Sequence, residues 1–181
     1  MWLEEQGKPK RDYSIGFSNA PGMKINFNFD SENDAARKIN RSIDFRRAIS
    51  LAIDRQAISR SLAFDLMTPI GAAWAPDSPY FDEESGYLYS EYDPEKAKQI
   101  LDDANIIDRD NDGIRELPSG EKLELIWDMY AHDLYTPMSE MIVETVKDIG
   151  VNLILNEKHQ TLHNKNFTSG NFELSLLVSD I

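Results

Sequence analysis

The chain has 181 residues, enough for one domain, and 41% of them are hydrophobic, enough to fill a sizeable core. Its 19 basic and 32 acidic residues leave a formal charge of −13, and a surface that acidic repels nucleic-acid phosphates and anionic lipid. There is no cysteine, which excludes thiol catalysis, disulfides and thiolate metal sites.

Residues 1–21 are polar and without a clear period, a lead-in that leaves room for a short strand over Tyr13–Phe17. The first ten residues lack the apolar segment of a secretory signal, and no apolar run approaches the roughly 20 residues that span a bilayer. Read alone, these features point to the cytoplasm. From Gly22 to Asp30 the chain alternates, with Met23, Ile25 and Phe27 on one side and Lys24, Asn26 and Asn28 on the other, which predicts a strand. Ser31–Asn40 is charged and reads as a loop with some helix.

Ser42–Arg55 is the organising stretch. Phe45, Ala48, Ile49, Ala52 and Ile53 recur at helical spacing and form one stripe, with Arg46, Arg47 and Ser50 outside it. Ser42 or Asp44 can cap this helix, and Asp54 can cap a second one from Arg55 to about Leu62. Such a helix needs a partner surface for its stripe, and a sheet is the expected one. Met67–Tyr92, with Pro69, Pro76, Pro79, Gly71 and Gly86, predicts a long loop without regular structure. Its aromatics, Trp74, Tyr80, Phe81, Tyr87, Tyr89 and Tyr92, read first as pins to the core and alternatively as a stacking surface for a sugar.

Asp93-Pro94-Glu95 opens the next helix, because Asp93 can cap it and Pro94 has no N–H to leave unpaired. Ala97, Ile100, Leu101 and Ala104 make its inner stripe. Glu121–Tyr130 predicts a strand through Leu123, Leu125 and Trp127. A helix then starts at Thr136-Pro137, turns Met138, Met141, Ile142, Thr145, Val146 and Ile149 inward, and ends at Gly150. Val151–Leu155 follows as a strand, which completes a βαβ unit, and Phe172–Val178 is a last apolar strand.

Asp108-Arg-Asp110-Asn-Asp112-Gly113 has the opening of a calcium loop, since carboxylates at every second residue can converge on one cation. Glu116 stands at the ninth position. Ser119 holds the twelfth, where a bidentate Glu is expected, and Glu121 lies close by. The preferred reading is an acidic turn held by Asx-type hydrogen bonds, and a calcium site is the alternative. His159 and His163 would share a helical face, but Gln160 cannot serve as the general base of a zinc protease, so the expectation is two solvated histidines. No nucleophile elbow, phosphate loop or dinucleotide fingerprint is present, so nothing argues for an enzyme or a cofactor.

Three stretches carry a family resemblance. Asp44-Phe-Arg-Arg-Ala-Ile-Ser-Leu-Ala-Ile-Asp-Arg55, Tyr92-Asp-Pro-Glu-Lys-Ala-Lys-Gln-Ile-Leu101 and Asp108-Arg-Asp-Asn-Asp-Gly-Ile-Arg-Glu116 with Ser119-Gly-Glu-Lys-Leu123 stand in order and at matching spacing. Together they resemble the extracytoplasmic solute-binding proteins of ABC transporters, family 5, of the oligopeptide- and dipeptide-binding type. Ile149-Gly-Val151 adds a further match before a strand.

The resemblance implies an α/β fold: one lobe of a two-lobed, type II periplasmic-binding-protein-like architecture, with a mixed sheet flanked by helices. It implies that residues 22–181 form the second lobe alone, with Met23–Phe29 and Phe172–Val178 leading to the other lobe. A signal peptide would then precede the stretch seen here. It further implies an extracytoplasmic protein that binds peptide or oligosaccharide without catalysis, works with ABC permease subunits, and meets the membrane only through an anchor. Peptide-binding relatives carry Gly-Trp and then an acidic residue after the last strand. Here Val178 and Ser179 stand at the Gly-Trp positions and Asp180 comes early, so peptide is not singled out, and relatives of this type also bind oligosaccharides or nickel complexes. The ligand-side candidates are Asn26, Asn28, Trp74, Ser179 and Asp180. The alternative is a calcium-binding or scaffolding domain using Asp108, Asp110 and Asp112.

Overall fold

The computed structural model describes residues 22–67, 70 and 79–179. Its elements run β1 (Gly22–Phe27), α1 (Asp34–Arg41), α2 (Ile43–Ala52), α3 (Arg55–Ala63), α4 (Glu83–Tyr87), α5 (Pro94–Asp103), β2 (Glu124–Tyr130), α6 (Tyr135–Lys147), β3 (Asn152–Lys158), α7 (Gln160–Ser169) and β4 (Leu174–Ser179). The strands form one mixed sheet in the order β1-β4-β2-β3. β1 is antiparallel to β4, while β4, β2 and β3 are parallel. The expected mixed α/β architecture is what forms.

The registers sort the side chains. Met23, Ile25 and Phe27 stand opposite Val178, Leu176 and Leu174, and Leu174 stands opposite Trp127. These residues, with Leu125 and Leu153, line one face and meet the inner stripes of the helices. Phe45, Ala48 and Ala52 on α2 and Ala97 and Leu101 on α5 are fully buried. The small residues suit the close contact between α2 and α5, which the Asp93 amide tightens by donating to Leu51 O at 2.9 Å. The α2 stripe does reach the sheet, with Phe45 edge-on to Phe27 at 6.1 Å.

The caps follow the side-chain chemistry read from the sequence. Ser42, not Asp44, caps α2 by accepting from the Phe45 amide at 3.3 Å; Asp54 caps α3 from Ala57 at 2.8 Å; Asp93 caps α5 from Lys96 at 2.9 Å. Several expectations need correction. Ser31–Asn40, expected as a loop with some helix, is helical from Asp34 on, and α1 continues to Arg41, because Asn33 accepts from the amides of Ala35 and Ala36 and Ala36 and Ile39 are buried. The proline-rich stretch contains α4, with Phe81 edge-on to Tyr87 at 5.8 Å. Helix α6 starts at Tyr135, ahead of Thr136, whose hydroxyl accepts from the His132 amide at 3.2 Å. His163 is buried, where solvent was expected. The lead-in, with the strand expected at Tyr13–Phe17, lies outside the described residues. Among the described residues no helix is long and apolar enough to cross a membrane.

Candidate functional site

One edge of the sheet gathers the ends that matter. Gly22, the first residue of β1, pairs with Ser179, the last of β4, and Tyr130 at the end of β2 pairs with Lys158 at the end of β3. The carboxyl ends of the parallel strands therefore lie beside the start of β1. In open α/β sheets, ligands bind beyond such carboxyl ends, where loops and helix starts present polar groups.

This edge is built rather than loose. The turn after β2 is held from both sides: the Thr136 amide donates to His132 O at 3.0 Å, and the Leu134 amide donates to His132 Nδ1 at 3.2 Å. The exposed His132 ring stacks on Tyr135 at 4.2 Å. Half-buried Tyr130 meets the His163 ring edge-on at 5.2 Å. Beneath them Met129, Tyr135 and Leu176 form a small apolar cluster with Met23 and Val178 against it.

A polar layer stands beside Tyr130 and Lys158 on their own sheet face, opposite the apolar cluster. Asp128 is buried, accepts from Asn156 Nδ2 at 2.8 Å and pairs with the Lys158 ammonium. Ser175 Oγ and His163 Nε2 lie 3.0 Å apart, so α7 is fastened to the sheet by a buried polar contact. These groups do not make a hydrolytic triad. Asp128 is committed to Lys158 and Asn156, His163 Nδ1 faces the Asn164 amide oxygen at 3.5 Å, and Ser175 is 1% exposed.

The residues singled out in the sequence fall in different places. Asn26 sits in mid-strand opposite Ser175. Asn28 lies beyond the far end of β1, buried, with Nδ2 donating to Gly170 O at 2.8 Å and Phe172 O at 2.7 Å and Oδ1 accepting from the Asp30 amide. It ties β1 to the α7–β4 turn. Ser179 joins the edge through its backbone, and its side chain, like Trp74 and Asp180, is outside the described residues. Of the loop aromatics, Tyr89 is pinned under Arg47 at 5.0 Å and Lys96 at 5.6 Å. Tyr130, His132 and Lys158 were not singled out. The signal for them was the βαβ pattern itself, whose strand ends mark the binding side.

The acidic loop closes on itself. Asp108, Asp110, Asp112 and Glu116 each bring a carboxylate oxygen within 4.8 Å of the others. Glu116 joins them, while Glu121 accepts from Ser119 Oγ at 3.0 Å. Asp108 accepts from the amides of Asn111 and Gly113 at 2.7 and 2.9 Å, and Gly113 takes the φ of +91° that the turn needs. The Lys122 ammonium pairs with Asp112 and lies 3.4 Å from Asp110. That ammonium, and then the Ile114 amide, hold the Asp112 carboxyl below its ordinary pKa, and Asp112 in turn holds Lys122 above its own.

Comparison with known proteins agrees with this architecture. Residues 2–179 match the family described as bacterial extracellular solute-binding proteins, family 5 Middle. Over 134 residues the chain is 27% identical to the periplasmic alpha-galactoside-binding protein of Rhizobium meliloti (strain 1021), covering 70% of this chain and 19% of that protein. A solved oligopeptide-binding protein OppA superposes with a TM-score of 0.82 at 29% identity, covering 90% of this chain and 26% of that one. The periplasmic binding protein MelB of Agrobacterium fabrum C58, solved with stachyose, superposes with a TM-score of 0.77 at 21% identity, covering 89% and 26%; at that identity the likeness is one of fold. The chain thus spans about a fifth to a quarter of the length of these relatives. The family is one of binding proteins and not of enzymes. With a family match across nearly its whole length, the chain belongs to the bacterial extracellular solute-binding proteins, family 5.

Proposed function

We propose that this chain is one lobe of a two-lobed extracytoplasmic receptor that binds an oligosaccharide or peptide and hands it to an ABC permease. The ligand meets this lobe at the edge formed by Tyr130, His132, Lys158 and the β1–β4 ends. The observation that carries the reading is that pairing: β1 starts and β4 ends at the same edge as the carboxyl ends of β2 and β3. Chain passing to a second lobe from that edge would set a cleft over it. Tyr130 and His132 offer ring faces for a sugar or an apolar side chain, and Lys158 offers a donor. Nothing in this site transfers a group; closure alone does the work, because ligand touches both lobes only when the cleft is shut.

Calorimetry with a panel of galacto-oligosaccharides and short peptides tests this. One lobe supplies part of the contacts, so the 181-residue chain alone binds weakly or not at all, and the two-lobed receptor binds one panel class at least 100-fold tighter. Nanomolar binding by the chain alone would contradict the proposal. So would a two-lobed receptor that ignores every panel member.

A further inference from the structure

We propose that Asp108, Asp110, Asp112 and Glu116 form a divalent-cation site of calcium type, away from the ligand edge. Glu116 carries the argument. It is 6% exposed, and its Oε1 is buried without a hydrogen-bond partner, while Oε2 accepts from the Arg109 amide at 2.7 Å. A buried carboxylate oxygen left unpaired is costly, and a cation at the convergence point removes that cost. The oxygens of the four acidic groups already lie within 4.8 Å of one another, a spread that a single ion bound at 2.3–2.6 Å can bridge. All the donors are hard oxygens, which select calcium or magnesium over transition metals. Four carboxylates on one loop favour calcium, which takes many oxygen ligands in flexible geometry, over magnesium, which keeps most of its waters and uses one or two carboxylates.

Lys122 fits the same account. Its ammonium sits on Asp112 and near Asp110, so a lysine charge partly balances the acidic groups. Lys122 is half-exposed on a flexible stem and can swing away when an ion enters. The backbone amides on Asp108 and Asp112 leave lone pairs spare, since an ionised carboxylate has about four acceptor sites. With four carboxylates and no bidentate twelfth ligand, the affinity falls in the weak extracellular class, on the order of 10⁻⁴ to 10⁻³ M.

The test is thermal melting and calorimetry of the 181-residue chain with CaCl2, with MgCl2 and NaCl at matched ionic strength as controls. About 10 mM calcium raises Tm by about 3–10 °C. Asp110→Ala abolishes the rise while leaving the fold intact, because Asp110 is exposed and alanine removes its ligand oxygen without opening the core. Glu116→Gln abolishes it too, and Lys122→Met keeps or enlarges it. No rise with calcium, an equal rise with magnesium and sodium, or a rise that survives Asp110→Ala would overturn the assignment.

Discussion

Replacing Arg115 with methionine removes a cation that joins three parts of the chain. Its Nε donates to Ile149 O at 2.8 Å and its Nη1 donates to Ile106 O at 2.6 Å and pairs with Asp102. The turn after α6, the turn after α5 and the end of α5 are held by one side chain that is 11% exposed. Methionine keeps much of the aliphatic stem, so the cavity term is small. Two buried carbonyls lose a charged donor, at about 1.5 kcal/mol each. The Asp102 contact adds little, because Asp102 is 48% exposed and the pair is screened. The sum is about 3 kcal/mol, or a Tm loss of about 6–12 °C at this chain length. Circular dichroism melting checks it, with urea unfolding as a second measure. Arg115→Lys falls between wild type and Arg115→Met, since a single ammonium cannot reproduce the fork. A loss below about 2 °C for Arg115→Met would refute the claim that this side chain ties the three segments.

Trp127→Ala empties the most voluminous fully buried position and costs about 3–5 kcal/mol, read as a drop in the urea midpoint. Asp93→Ala removes the cap of α5 and costs about 1 kcal/mol, read as a Tm loss of about 2–4 °C. The Asp112 carboxyl has a lowered folded pKa, so its contribution is full above the ordinary Asp value of about 3.9 and is lost as pH falls through the lower folded value. Melting curves of wild type and Asp112→Asn in the absence of divalent cations therefore converge at the acid end of that window, and parallel curves down to pH 2 would contradict the pairing. The raised Lys122 value works in the opposite sense: its contribution is full below the ordinary Lys value of about 10.4 and is lost as pH rises through the folded one.

Much of the fold was legible because local chemistry and packing agree. The Phe45–Ile53 stripe, the Asp54 and Asp93 caps and the β2–α6–β3 unit each follow from periodicity or a short polar side chain, and the packed structure uses them as read. Helix α1 was harder to see because its apolar signal is thin: Ala36 and Ile39 alone are buried apolar residues among charges. Asn28 illustrates why site residues resist the same treatment. Period 2 placed it on a strand face, but its partners, Gly170 and Phe172, lie more than 140 residues away and no local pattern encodes them. His163 is similar: its burial on α7 depends on Ser175 and Tyr130 arriving from strands β4 and β2. Tyr130, His132 and Lys158 acquire meaning only once the strand order sets their ends side by side. Glu116 was seen as a ninth-position residue, whereas its burial came from the antiparallel bridges it makes to Ile107 and Lys122.

Hydrogen–deuterium exchange on the two-lobed receptor, with and without its solute, tests the central claim most directly. The account predicts slowed exchange on binding at Tyr130–Leu134, at Lys158 and at the β1–β4 ends. Slowed exchange centred on the opposite sheet end, around Asn28, Glu124 and Asn152, with the Tyr130–Leu134 turn unchanged, would contradict it.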